Sequence, residues 1–289
     1  MAQIAWIGAG VMGRPMAGHL AAHGHQVRVY SRHMEKLTGA EQEGLEPCAT
    51  IAQAVAGAAY VFVMVGYPRD VEEVFAGPGG IFESAAPGTL AVDMTTSSPE
   101  LARRLWEQGK EKGIRVLDAP VSGGDRGARN ASLSIMVGGE KADFEEVRPL
   151  LACMGTGLHY MGQAGSGQHT KAANQIAVAV ATAAYTEALR YAQAAGLDPR
   201  AMLEAIGGGA AGSWQIANMA PRVLAGDFAP GFFIKHFIKD MKIIQDESAQ
   251  RGVELPMLDT VCSLYEELAC RGLENEGTQA LIRYYEPEA

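Results

Sequence analysis

Lys171 stands in the run Gly165-Ser166-Gly167-Gln168-His169-Thr170-Lys171-Ala172-Ala173-Asn174-Gln175. Asn174 and Gln175 follow at three and four residues, so on a helix all three share one face. A lysine among alanines is poorly solvated, and partial desolvation makes it a usable proton donor or acceptor. The two amides can hold a hydroxyl or a carboxylate without adding charge. Spacing alone leaves open a lysine that snorkels from the start of a helix.

A second group of residues suits phosphate. Gly8-Ala9-Gly10-Val11-Met12-Gly13 follows the apolar run 4–7 with the spacing G-x-G-x-x-G. Gly8 suits the tight turn, Gly10 the approach of a pyrophosphate, and Gly13 close packing of helix on strand. The helix that follows offers N–H groups and a positive dipole end. Some twenty residues on, where an NAD-binding chain usually carries an acid, stand Ser31 and Arg32. A hydroxyl and a guanidinium suit a 2′-phosphate, so NADP is favoured, with NAD possible. A merely solvated Arg32 is the alternative.

Three more segments lie where a parallel sheet would present them at its carboxyl edge. Met64 and Val65 end the apolar run 60–65 and are expected beside the cofactor. Met94-Thr95-Thr96-Ser97 offers hydroxyls to the nicotinamide ribose or a substrate, or caps a helix starting at Pro99. Asp118-Ala119-Pro120-Val121-Ser122-Gly123-Gly124 ends in exposed N–H groups suited to a carboxylate, or in a plain Gly-Gly turn. Lys239-Asp240 follows the aromatic stretch 228–237. Neighbours in a helix do not face each other, so a salt bridge between these two is not expected.

The elements that must position these residues fall in two parts. Strands are expected at 3–7, 26–30, 60–65, 89–93, 115–118 and 133–138. Helices are expected between them at 11–23, 33–43, 51–56, 70–75, 99–112 and 141–151, and a turn at 125–130. Such alternation predicts an α/β Rossmann domain, a doubly wound parallel sheet, over 1–163. Beyond it strand signals vanish, and 164–289 reads as an all-helical substrate and dimerisation domain. A helix over 167–195, about 42 Å long, carries small apolar residues on nearly every side and is expected to be buried all round, partly by a second subunit. Shorter helices are expected at 199–206, 212–225, 238–251 and 256–270.

The 289 residues carry a net charge of −9, which argues against nonspecific nucleic-acid binding. The four cysteines are widely spaced and form no C-x-x-C, as expected of free thiols in a reducing compartment. Seven scattered histidines suggest no metal. No leader is expected, since the chain opens directly on a strand pattern, and the alanine-rich run 172–184 holds polar residues unsuited to a membrane span. A cytoplasmic protein is expected.

Taken in order, these segments resemble the β-hydroxyacid dehydrogenase family. Its members include 3-hydroxyisobutyrate dehydrogenases, tartronate semialdehyde reductases and glyoxylate/succinic semialdehyde reductases. Residues 7–20 resemble its cofactor signature, and 118–124 with 133–139 its substrate signature. Residues 165–175 resemble its catalytic signature, and Lys239-Asp240 its C-terminal pair. The resemblance implies Lys171 as general acid/base and Ser122, Gly123 and Gly124 around a substrate carboxylate. It places Asn174, with Gln175 beside it, at the substrate, and Thr96 and Lys239 near the nicotinamide. Two departures are Ala131 where glycine is usual and Gln175 where some members have a second asparagine. The implied reaction moves hydride between a nicotinamide and a small β-hydroxyacid or its semialdehyde, in a dimer or tetramer. Trp214 and Phe232 are candidates to limit the substrate side chain. The alternatives are an imine reductase-like enzyme of the same superfamily, against which Lys171 counts, and a regulatory cofactor-binding protein without turnover.

Overall fold

In the computed structural model, residues 1–286 are described. They divide into two compact units, Met1–Lys171 and the described residues from Ala172 onward.

The first unit is built on nine strands, β1 (Gln3–Ile7), β2 (Gln26–Tyr30), β3 (Leu45–Cys48), β4 (Tyr60–Val63), β5 (Leu90–Asp93), β6 (Arg115–Asp118), β7 (Val121–Ser122), β8 (Leu133–Gly138) and β9 (Gly155–Gly162). Their order is β3-β2-β1-β4-β5-β6-β8-β7, with β9 paired to β8. The six strands from β3 to β6 are all parallel, in the Rossmann order. Helices α1 (Gly13–Ala22), α2 (Ile51–Val55), α3 (Pro68–Ala76), α4 (Ile81–Ser84), α5 (Pro99–Glu111), α6 (Gly124–Arg129) and α7 (Lys141–Leu151) connect them. Strand residues alternate between two buried layers. Ile4, Trp6 and Phe62 belong to one, Ala5, Ile7, Val61 and Val63 to the other. Burial on both faces is why these strands read as continuous apolar runs. Trp6 stacks on Phe62, with ring centroids 5.6 Å apart.

The departures from expectation have local causes. Gly39, at φ +75°, divides the expected helix 33–43 into two 3-10 turns, Met34–Leu37 and Ala40–Glu43. Strand β3 escapes a propensity reading because it holds Glu46 and Pro47, tolerated at a sheet edge. Strand β8 runs antiparallel to β6, and β7 and β9 flank it. The expected turn at 125–130 is α6, steadied by an Arg129–Asp125 ion pair at 2.5 Å. The strand expected at 60–65 ends at Val63.

Helix α8 (Ser166–Ala194) begins in the first unit and continues into the second. The second unit adds α9 (Pro199–Gly207), α10 (Trp214–Asn218), α11 (Ala220–Leu224), α12 (Ile234–Gln250), α13 (Pro256–Cys270) and a 3-10 segment, Thr278–Tyr285. The single helix expected at 212–225 is two, broken at Met219. Its core gathers Ala179, Phe237, Met241, Tyr265 and Leu268. A second cluster holds Tyr185, Leu189, Ile216, Ala220 and Ile282.

Helix α8 is not covered on every side by this chain. Gln168, Lys171, Gln175, Ala179, Thr182, Thr186 and Leu189 form one buried stripe. Ala173, Ala177 and Ala184 are exposed on another side. Small apolar residues all round thus conceal a one-sided burial that periodicity could not resolve. None of the described helices is long and apolar enough to cross a membrane.

Candidate active site

The backbone ladder runs past the ends of β1, β4, β5 and β6. The N–H groups of Gly8, Met64, Met94 and Ala119 donate to Tyr30, Ile7, Val63 and Asp93 carbonyls at 2.7–2.8 Å. The loops carrying the expected cofactor and substrate residues therefore leave one sheet edge. The strand order reverses between β1 and β4, where Gly8 and Met64 lie. That crevice is where open α/β sheets bind ligands.

Gly8 sits at φ +104°, and a side chain there would strike the Met64 carbonyl. A side chain at Gly13 would strike the Gly8 carbonyl, so both glycines are fixed by the fold itself. Gly10 is different: an added Cβ would meet nothing within 4 Å. Its missing side chain leaves open space above the turn. Helix α1 also begins without a side-chain cap, so no side chain occupies its anion-attracting end. The cradle fits a dinucleotide pyrophosphate. Ala9 is buried, Met12 half-buried and Val11 exposed beside it.

At the end of β2, Ser31 is buried and its Oγ accepts the His33 N–H at 3.3 Å. Arg32 donates from Nη1 to Asp70 Oδ1 at 3.0 Å, and its side chain remains 63% exposed. Asp70 is buried and also accepts the Tyr67 N–H at 3.1 Å, at the start of α3. It was legible only as a helix-start residue, and its hold on Arg32 links two loops far apart in sequence.

Ser122 ends β7 opposite Ser134 of β8. Gly123 and Gly124 follow at φ +130° and +61°, so the chain turns in a way few other residues allow. Ala131 lies at φ +51°, which explains why glycine is usual at that place in the signature. Thr96 is half-buried between two buried neighbours, Thr95 and Ser97. Gln168 holds both: its Nε2 donates to the Thr95 carbonyl at 2.7 Å, and its Oε1 accepts the Ser97 N–H at 2.9 Å. Gln168 lies inside the catalytic signature. A polar residue three positions before Lys171 on a helix was the available signal.

Lys171 is 7% exposed, on the buried stripe of α8. In the second unit, Asn174 Nδ2 donates to Gln175 Oε1 at 2.7 Å, and Gln175 Nε2 donates to Asp240 Oδ2 at 2.6 Å. Both polar atoms of Gln175 are thus engaged within that unit. Lys239 Nζ lies 2.8 Å from Asp240 Oδ1. This corrects the expectation that adjacent residues of a helix would not pair. The long lysine chain folds back over its neighbour, and a site this buried strengthens the attraction. The contact is an ion pair. Trp214 is about half exposed, whereas Phe232 packs on Phe237 with centroids 5.5 Å apart.

The four cysteines are free, three of them buried and Cys270 exposed. Among the described residues no group of three His, Cys, Asp or Glu side chains is placed to hold a metal ion.

A Rossmann sheet with a pyrophosphate cradle, and a long helix that carries a buried lysine, fit a nicotinamide-dependent dehydrogenase. Residues 3–162 match the model of the NAD binding domain of 6-phosphogluconate dehydrogenase. Residues 165–285 match that of the NAD-binding domain of NADP-dependent 3-hydroxyisobutyrate dehydrogenase. The uncharacterized oxidoreductase YkwC of Bacillus subtilis is 50% identical over 98% of both chains. The 2-hydroxy-3-oxopropionate reductase of Escherichia coli is 36% identical over 98% of this chain and 97% of its own. Among solved structures, the 3-hydroxyisobutyrate dehydrogenase of Mycobacterium tuberculosis with L-serine superposes with a TM-score of 0.90 at 30% identity, covering 99% of this chain and all of the other. The chain belongs to the β-hydroxyacid dehydrogenase family and is an NAD(P)-dependent hydroxyacid dehydrogenase.

Proposed function

We propose that the enzyme interconverts a small β-hydroxyacid and its semialdehyde, with NADP preferred over NAD. The burial of Lys171 within the catalytic signature carries the reading, since a proton donor sheltered from water is what a developing alkoxide needs. When bound, the nicotinamide cofactor supplies the hydride in reduction and accepts it in oxidation. Lys171 gives its proton to the carbonyl oxygen in reduction and removes it from the hydroxyl in oxidation. Ser122 and the N–H groups of Gly123 and Gly124 hold the substrate carboxylate. Asn174 reaches the substrate oxygen, and Gln175, engaged with Asn174 and Asp240, orients it. Gly8, Ala9, Gly10, Val11, Met12 and Gly13 cradle the pyrophosphate. Met64, Val65, Thr96 and Lys239 approach the nicotinamide half.

Preference for NADP rests on Ser31 and Arg32 in place of an acid at the end of β2. Asp70 steadies Arg32 while the arginine side chain stays 63% exposed, which favours a phosphate contact. The relatives named above favour 3-hydroxyisobutyrate or 2-hydroxy-3-oxopropionate as the substrate class. The exposed alanines of α8 favour a homodimer or tetramer, and free thiols favour the cytosol. Ala184→Glu is then expected to shift light scattering toward the monomer.

The experiment is a rate panel. NADPH and NADH oxidation would be followed by nicotinamide absorbance with small semialdehydes, keto acids and cyclic imines. Fastest turnover with NADPH and a carboxylate-bearing semialdehyde is expected. Turnover of imines alone, or of nothing, would refute the reading.

A further inference from the structure

The beginning of helix α8 is held by two buried polar side chains that the reaction itself does not use. Asp118, the last residue of β6, is 3% exposed. Its Oδ1 accepts the Gly165 N–H at 2.7 Å and its Oδ2 accepts the Gln168 N–H at 2.9 Å. Helix-start N–H groups have no partners within their own helix, so a carboxylate from another strand is satisfying them. Space for it is cleared by glycine. A Cβ at Gly138 would lie 2.6 Å from Asp118 Oδ1, and one at Gly167 would lie 2.8 Å from Oδ2. A Cβ at Gly167 would also strike the Met136 carbonyl oxygen, so this glycine lets the helix start approach both the strand backbone and the carboxylate. Burial pushes the Asp118 carboxyl up from its ordinary range, and the backbone N–H groups oppose that push.

Gln168, 1% exposed, supplies the second hold. Its amide spans Thr95 and Ser97, as described above. Thr95 is fixed in turn: its Oγ1 accepts the Val65 N–H at 3.0 Å, and its N–H donates to Asp93 Oδ1 at 3.0 Å. One buried network therefore registers Val65, the Thr96 loop and the first turn of α8. Lys171 lies three residues after Gln168, on the same face.

We propose that Asp118 and Gln168 are positioning residues that lock the first turn of helix α8 to the sheet edge and thereby place the ammonium group of Lys171. The proposal rests on Lys171 being the proton donor. Misplacement of a catalytic group by about 1 Å costs roughly 10²-fold in rate. Neither side chain needs to touch substrate to have that effect.

The test is a double-mutant cycle in the full-length enzyme. Asp118→Asn keeps the shape but turns an amide NH2 toward a backbone N–H. Gln168→Met keeps the volume and removes both hydrogen bonds, and it serves if Asp118→Asn fails to fold. Each is expected to lower kcat about 10- to 100-fold, with NADPH Kd by fluorescence titration within about threefold. Amide exchange across 165–171 is expected to speed up about tenfold or more. In a Lys171→Ala background the same changes are expected to alter kcat less than about threefold, because residues acting as one unit are not additive. Full multiplicative losses in that background would overturn the positioning role, as would parent-like kcat or unchanged exchange. If Lys171→Ala itself retained parent rates, the donor assignment would fail first, and the exchange result would still report whether the clamp exists.

Discussion

Gln168 and Gln175 are buried amides two turns apart on the same stripe of helix α8, yet they hold it in different ways. Gln168 grips neutral backbone, the Thr95 carbonyl and the Ser97 N–H. Gln175 grips a carboxylate, Asp240, which is in ionic contact with Lys239. The first hold is geometric: it copies a piece of backbone pairing and carries no charge. The second belongs to a charged pair whose stability depends on staying intact, since burying either charge alone is strongly unfavourable. Lys171 stands between the two amides in sequence. For the proton donor proposed at Lys171, the first hold would fix placement, whereas the second is a charged network of the second unit.

The largest expected effect comes from Lys171 itself. Lys171→Ala should lower kcat roughly 10²–10⁴-fold, while NADPH Kd by fluorescence titration stays near the parent value. Both anchors would remain, so a rate within threefold of the parent would show that they hold up a residue without a catalytic role.

Breaking the charged anchor should register as stability before rate. Asp240→Ala removes the acceptor of Gln175 and the counter-charge of Lys239, and should destabilise the fold by roughly 3 kcal/mol. For a protein of this size that lowers Tm by about 5 °C or more. A fall of less than about 1 °C would place this pair with exposed ion pairs in energetic worth.

A sharper contrast lies at the cofactor end of the first unit, far from both anchors in sequence. Arg32→Ala should weaken NADPH by about 1.5–3 kcal/mol, the worth of a charge-assisted bond to phosphate. NADH should be nearly unaffected. Equal losses for both cofactors, measured by titration, would end the case for a 2′-phosphate contact at Arg32.

Much of this was legible in the sequence for physical reasons. Strands buried on both faces announce themselves as apolar runs, so β1 and β4 stand out, while β2 shows itself by alternation. Gly8 and Gly13 mark a turn that only glycine can make. Concealed elements are those whose stability comes from partners distant in the chain. Strand β3 is a Pro-containing edge, and β9 contains three glycines and is held by pairing with β8. Asp118, Gln168 and Asp70 escape a sequence reading as positioning groups for the same reason. Their side chains are unremarkable in composition, and their meaning lies in hydrogen bonds to loops tens of residues away.

Ala131 tests how much strain the substrate-signature loop carries. An L-residue in the left-handed region is disfavoured by about 1–2 kcal/mol, and glycine loses about 0.5–1 kcal/mol of that gain to its greater freedom when unfolded. Ala131→Gly should therefore raise Tm by a degree or two, measured by scanning calorimetry. A lower Tm would mean that the alanine methyl packs usefully enough to outweigh the backbone.

The smallest effect should come from an anchor of the same chemistry set at the surface. Arg115 on β6 binds Glu146 of α7 through two nitrogens, at 2.5 and 3.0 Å, and reaches Asp143 at 2.9 Å. Its geometry rivals that of the buried pair, but Glu146 is 41% exposed. Hydrogen bonds from Arg115 hold the Glu146 carboxyl below the usual carboxylate range. A carboxylate depressed in the folded state stabilises fully above its ordinary range and loses that contribution as pH falls through the folded value. Solvent screening limits the gain to below about 1 kcal/mol. Glu146→Gln should thus lower Tm slightly at neutral pH, and the gap from the parent should close as the solution is acidified below the ordinary glutamate range. High salt should narrow it as well, while leaving the Asp240→Ala deficit largely in place, because a buried pair is screened far less than an exposed one. If salt erased both deficits equally, burial would not be what separates the two kinds of anchor.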